Sequence, residues 1–165
     1  MSAISKKIPV CDPKYSLFSG FLDSASQILF KFGIELNALI RELDIDISVF
    51  KNTVRQVPVH LVDQAMLKVL ELSNDPDYGL HFGEYFCDSN DFLNVILSNS
   101  PTIGDALFNL CNYFNLSHDL MKGNLEVKEN TAILSLHGDA IGITDYRNFV
   151  EAHFAYQASI LHRLA

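Results

Sequence analysis

Apolar residues recur at helical spacing along most of this chain and switch to strict alternation only once. From Ser16 to Phe32 the positions Leu17, Phe21, Ala25, Ile28, Leu29 and Phe32 form a helical stripe, with Gly33 as a C-terminal stop. A second helix is predicted from Glu35 to about Leu43, and Ser48 to Lys51 adds a short turn. Pro58 suits a first helical position because it lacks an amide hydrogen, and the stripe that follows ends around Asn74. Asp75-Pro76-Asp77 reads as a turn before a short helix, Tyr78 to about Phe86, and Asp91 to Leu97 fits another. The next helix buries Ile103, Leu107, Leu110, Cys111 and Phe114. Thr102 and Asp105 form a capping box at its start, with Asp in place of Glu.

The period then changes. Leu125, Val127, Ala132, Leu134 and Leu136 alternate with polar residues on either side of Glu129-Asn130, a β-hairpin signal in which Asn can take positive φ. An isolated hairpin is marginal, so further strands or a second protomer are expected to complete the sheet. From Asp145 the helical period returns and runs to Leu164. These elements predict an α+β fold: a mostly α-helical single domain with a small antiparallel β-hairpin near residues 119–137. Residues 1–14 read as an N-terminal tail and 15–165 as the domain.

Composition narrows the function. With 165 residues the chain can bury one sizeable core, and 48% hydrophobic content excludes disorder. Residues 1–60 hold seven basic and six acidic side chains, net +1; residues 61–165 hold five and fourteen, net -9. Phosphate contacts need Lys and Arg, so this chain alone is a poor DNA binder, and an anionic membrane surface repels it. The apolar runs are too short for a membrane span, and no apolar region follows Lys6 and Lys7 as in a signal peptide. Cys11, Cys87 and Cys111 are odd in number and widely spaced, which fits packed, reduced thiols in a cytoplasmic protein.

Candidate chemistry is sparse. The six histidines show no metal-ligand spacing, and no nucleophile motif or phosphate loop is present, so no catalytic residue, metal or cofactor is expected. What remains is aromatic clustering on neighbouring helical segments, which can line an apolar pocket with a few orienting hydroxyls. Tyr85, Phe86 and Tyr113 are the candidates from that cluster. His81 makes a polar corner one turn before Tyr85. Arg147 is one of the few cations after position 60 and would suit an acidic effector, although pairing with Glu151 one turn on explains it equally well.

Four stretches in order carry a resemblance. They are Val57-Pro58-Val59; Asn74 to Glu84, reading NDPDYGLHFGE; Ser98 to Leu107, reading SNSPTIGDAL; and the hairpin from Asn124 to Leu136. Read physically, Gly79 and Gly83 share one helix face and let another backbone approach. Together the stretches resemble the N-terminal sensor domain of the arabinose-regulator (AraC) family of transcription regulators, from about residue 15 onward. The resemblance implies a module that binds a small effector, forms a homodimer and controls a DNA-binding domain further along. That family continues into a helix-turn-helix region with no counterpart here, so the chain reads as a fragment or a natural truncation that reaches DNA only through a domain it lacks. The competing readings are an oligomerisation module without an effector, using the helix from Asp145 to Leu164, and a small enzyme, for which no acid, base or nucleophile set assembles.

Overall fold

The structure, a computed structural model, describes the backbone of residues 16–18, 21–44, 56–88, 92–117, 121–138 and 146–165. The tail 1–14 and the turn expected at Ser48 to Lys51 lie outside these residues. Helices dominate: α1 (Phe21–Lys31), α2 (Leu36–Glu42), α3 (Val59–Ser73), α4 (Tyr78–Cys87), α5 (Phe92–Ser98), α6 (Ile103–Ser117) and α7 (Tyr146–Leu164). Two small antiparallel sheets accompany them. One pairs β1 (Ser16–Phe18) with β2 (Gln56–Pro58); the other is the hairpin of β3 (Met121–Lys128) and β4 (Thr131–Gly138). The α+β, mostly helical reading therefore holds.

Local chemistry accounts for several element ends. Gly33 takes φ 74°; its N–H donates to the Phe30 carbonyl, and Ile34 N–H donates to Leu29. That pair of bonds is a Schellman stop, and Leu29 and Ile34 close it by packing in the same core cluster. Asn74, at φ 50°, gives α3 the same left-handed exit. Thr102 Oγ1 accepts the Asp105 N–H at 3.0 Å, while its hydroxyl donates to Asp105 Oδ2 at 2.7 Å. The shorter Asp side chain returns to the hydroxyl, whereas the Glu of a full capping box returns to the backbone.

Three readings are corrected. The helix expected from Ser16 begins at Phe21, because Ser16, Leu17 and Phe18 pair with Pro58, Val57 and Gln56. Gly20, a poor helix-interior residue, separates the strand from the helix in sequence. Pro58 closes β2 and occupies the N-cap of α3, one position before the first helical residue. In the hairpin turn the positive φ, 51°, falls on Glu129 and not on Asn130.

The hairpin packs without a further strand among the described residues. Its register sets Leu125 opposite Leu134 and Gly123 opposite Leu136, so one face is apolar. A Cβ built on Gly123 would stand 3.3 Å from Cys111 Cα, which shows how closely β3 lies on α6. Leu125 and Leu134 pack against Leu107, Leu110, Tyr156 and Ile160, and Leu136 against Val59, Met121 and Phe149. Helix contact supplies what a third strand was expected to supply.

Candidate functional site

The tightest helix pairing joins α4 to α7. Three pairs of positions give its direction: Gly79 faces Asn148, Gly83 faces Ala152 and Tyr156, and Cys87 meets Arg163. Both numbers rise together, so the helices run parallel. A Cβ on Gly79 would stand 2.7 Å from Asn148 Cα, and one on Gly83 would stand 2.9 Å from Ala155 Cβ and from Tyr156 N. The glycine face expected from the sequence is thus in direct contact with the α7 backbone.

At the N-terminal end of this pair, His81 and Arg147 enter one charged network. His81 Nδ1 lies 2.6 Å from Asp75 Oδ2, and Asp75 Oδ1 accepts the Asp77 N–H at 3.0 Å. Arg147 Nη2 donates to Asp77 Oδ1 at 2.6 Å and its Nε to Glu151 Oε1 at 2.8 Å. The hydrogen bond from His81 holds the Asp75 carboxyl below the ordinary carboxylate value, and the same bond raises His81 above the ordinary histidine value. Both candidates are therefore already paired with carboxylates within the chain. An anionic ligand would meet Arg147 only by competing with Asp77 and Glu151.

Tyr85 and Phe86 sit half-buried further along α4, each held by aromatic neighbours. Phe32 meets Tyr85 edge-on with ring centres 5.4 Å apart, and Lys31 Nζ lies 4.4 Å from the centre of the same ring. Phe86 packs edge-on against Tyr156 at 5.2 Å and parallel to Phe82 at 6.5 Å. Tyr113 stands half-buried on α6, a separate helix. Four of the five candidates thus belong to the α4–α7 pair, through α4 itself or through Arg147.

Sequence reasoning missed the side chains that bind this pair together. Asn148, buried on α7, accepts the Gly79 N–H at 3.0 Å, and this donor belongs to the first turn of α4, where no intrahelical acceptor exists. Tyr156 OH donates to Asn94 Oδ1 at 2.8 Å, and Asn94 Nδ2 donates to the Phe86 carbonyl at 2.9 Å. Arg163 Nη1 donates to the Cys87 carbonyl at 2.8 Å and its Nη2 to Asp88 at 2.6 Å, satisfying the C-terminal end of α4. Each partner is remote in sequence, so the only early signal was the residue type at an inward-facing position.

Beside that C-terminal end lies an open groove of ≈ 510 Å³ lined by Glu84, Cys87, Asp88, Ser159, His162 and Arg163. None of the five candidates lines it, and Asp88 is already held by Arg163 and, at 3.5 Å, by Lys31. Burial raises the Cys87 and Cys111 thiols above the ordinary value, which makes both poor nucleophiles at neutral pH. Among the described residues no group of three His, Cys, Asp or Glu side chains could hold a metal ion, and no helix is long and apolar enough to cross a membrane.

Among the described residues two histidines have shifted values, and they move apart. His153 Nδ1 lies 2.7 Å from the Phe149 carbonyl, so the neutral ring carries its proton there, and burial pushes its pKa below 6.5. His81 is raised above 6.5. A folded pKa above the unfolded one gives His81 a stabilising contribution at low pH that fades as pH rises through its folded value. His153 works in the opposite sense: its contribution is fully present above the unfolded value and is lost as pH falls through its folded value. Ring-proton NMR titration is expected to show one midpoint on each side of 6.5; two coincident midpoints would refute both environments.

Comparison with known families adds an independent finding. Residues 33–165 match the family described as the arabinose-binding domain of AraC transcription regulator, N-terminal. No curated protein matches the chain.

Proposed function

We propose a function for this chain from one premise: it belongs to the family of N-terminal arabinose-binding domains of AraC transcription regulators. That family is a regulatory ligand-binding domain and not an enzyme family, so the coarse role is effector binding in the control of transcription. The finer reading is a cytoplasmic effector-sensing and dimerisation domain spanning residues 15–165. It binds a small molecule through side chains gathered around α4, with His81, Tyr85, Phe86 and Arg147 as contacts and Tyr113 contributing from α6. DNA is reached only through a domain outside this sequence. An effector that binds one of two domain conformations better than the other shifts the population that positions the DNA readers.

One observation carries the dimerisation half of this reading. The inner face of α7 is engaged, with Leu161 packed on the core, yet its outer face keeps apolar residues at helical spacing, Val150, Phe154 and Ala158, with Phe154 51% exposed. A second copy of the chain is the occupant that suits it. Arg147 and Glu151 neutralise each other beside the stripe, so two chains of net charge -8 can meet there with little local repulsion.

Light scattering after size exclusion tests this directly. The chain is expected to run as a dimer, and Phe154→Glu as a folded monomer, because a charge placed on an exposed stripe costs little within one protomer. A wild-type chain that is monomeric at every concentration removes the dimer. Thermal shift against sugars, organic acids and fatty acids tests the sensor. One ligand class at 100 times its Kd should raise Tm by roughly 5–10 °C. A dimer indifferent to every compound favours the ligand-independent oligomerisation module.

A further inference from the structure

We infer that α4 and α7 open and move as one rigid unit, so that whatever engages the side chains of α4 displaces the outer stripe of α7 with it. Fastenings occur at both ends of the pair. Arg147 to Asp77 and Asn148 to the Gly79 N–H hold the N-terminal end. At the C-terminal end Arg163 binds the Cys87 carbonyl and Asp88, and Tyr156 reaches the neighbouring Phe86 carbonyl through Asn94 of α5.

The backbone contact makes this register unique. Rotating α4 by one residue would turn Leu80 and Glu84 toward Asn148 and Ala152, where even a Cβ has no room. Sliding by a turn would break the fastenings at both ends together. Packed helices with a single permitted arrangement transmit displacement as a body and do not absorb it locally.

By comparison, α4 meets α1 and its exit through side chains: Leu29 shares a buried cluster with Tyr78, Phe32 lies edge-on to Tyr85, and Lys31 stands above that ring and 3.5 Å from Asp88. That boundary is side-chain packing, unlike the backbone contact that joins α4 to α7. The side of α4 carrying Tyr85 is therefore the input of the unit, and Val150, Phe154 and Ala158 on α7 are its output. This regulatory meaning rests on the proposed effector contacts and dimer face; the mechanical unit does not.

Native-state hydrogen exchange of the whole chain, followed by mass spectrometry in low denaturant, tests it. Amides of 78–87 and 148–160 are expected to share one opening free energy, above that of α1 and α2. Asn148→Ala, which strands the Gly79 N–H, is expected to speed exchange in both helices by the same factor, roughly tenfold. Exchange of α4 together with α1 and α2 while α7 stays protected would overturn the unit, as would acceleration confined to the first turn of α4. If the variant does not fold, the wild-type profile decides alone. A chain that binds no compound and never dimerises still yields this readout, so failure of the proposed function and failure of the unit are told apart.

Discussion

Gly83→Ala is expected to destabilise the domain by about 2 kcal/mol or more, lowering Tm by roughly 4–8 °C. Two effects compete. Alanine is the better helix former and would contribute up to about 1 kcal/mol at a free helical position. Here its methyl would stand 2.9 Å from Tyr156 N and from Ala155 Cβ, and it would press on the Ala152 carbonyl. Backbone atoms of a buried helix cannot swing aside as a side-chain tip can, so overpacking of about 1–3 kcal/mol, at the upper end of that range or beyond it, prevails. Thermal denaturation by circular dichroism measures the net sign. A rise in Tm would mean that the two helices are not in backbone contact, and the account of the α4–α7 pair would fall.

Tyr156→Ala carries the largest expected loss, about 3–5 kcal/mol from the vacated core volume and hence a fall of roughly 6–20 °C in Tm. Tyr156 is 5% exposed, packs on the ring of Phe86 and belongs to the cluster that holds Leu97, Leu107, Leu110 and Ile160. Tyr156→Phe separates packing from polarity. It keeps the ring and removes only the bond to Asn94 Oδ1, at an expected cost of about 1–2 kcal/mol. Urea denaturation of both variants gives the two figures on one scale. If Phe proved as damaging as Ala, the hydrogen bond to Asn94 and not the core would be the chief anchor between α5 and α7.

The same residues show where sequence reading succeeds. Among the described residues period 3.6 located the helices, because a helix that buries one face must repeat its apolar residues along that face. Gly33 and Thr102 announced their element ends through backbone freedom and hydroxyl capping, both local properties. The hairpin was legible from alternation, and its two-residue turn from the polar pair between the strands. In the site, Gly79 and Gly83 were legible as a face for close approach, and the Arg147–Glu151 pair followed from helical spacing alone.

Other features had no local signal. β1 is three residues long and exists only because Gln56–Pro58 returns beside it from far along the chain. The left-handed turn residue is Glu129, because the strand register of Lys128 with Thr131 decides which residue must bend, whatever the preference of Asn130. Arg147 reaches Asp77 across 70 positions, and that contact alone links the Asp75–His81 pair to α7.

By itself, then, the sequence determined the helices and the hairpin, several of their ends, the fold class and the family motifs, since each depends on residues within a few turns of one another. Tertiary structure decided which surfaces meet. It set α7 parallel to α4, delivered Asn148 to an orphan amide of the first turn, and paired His81 and Arg147 with carboxylates. The physical reason is range. Hydrogen bonding and periodicity act over about four residues, whereas contact between two faces depends on the path of the whole chain.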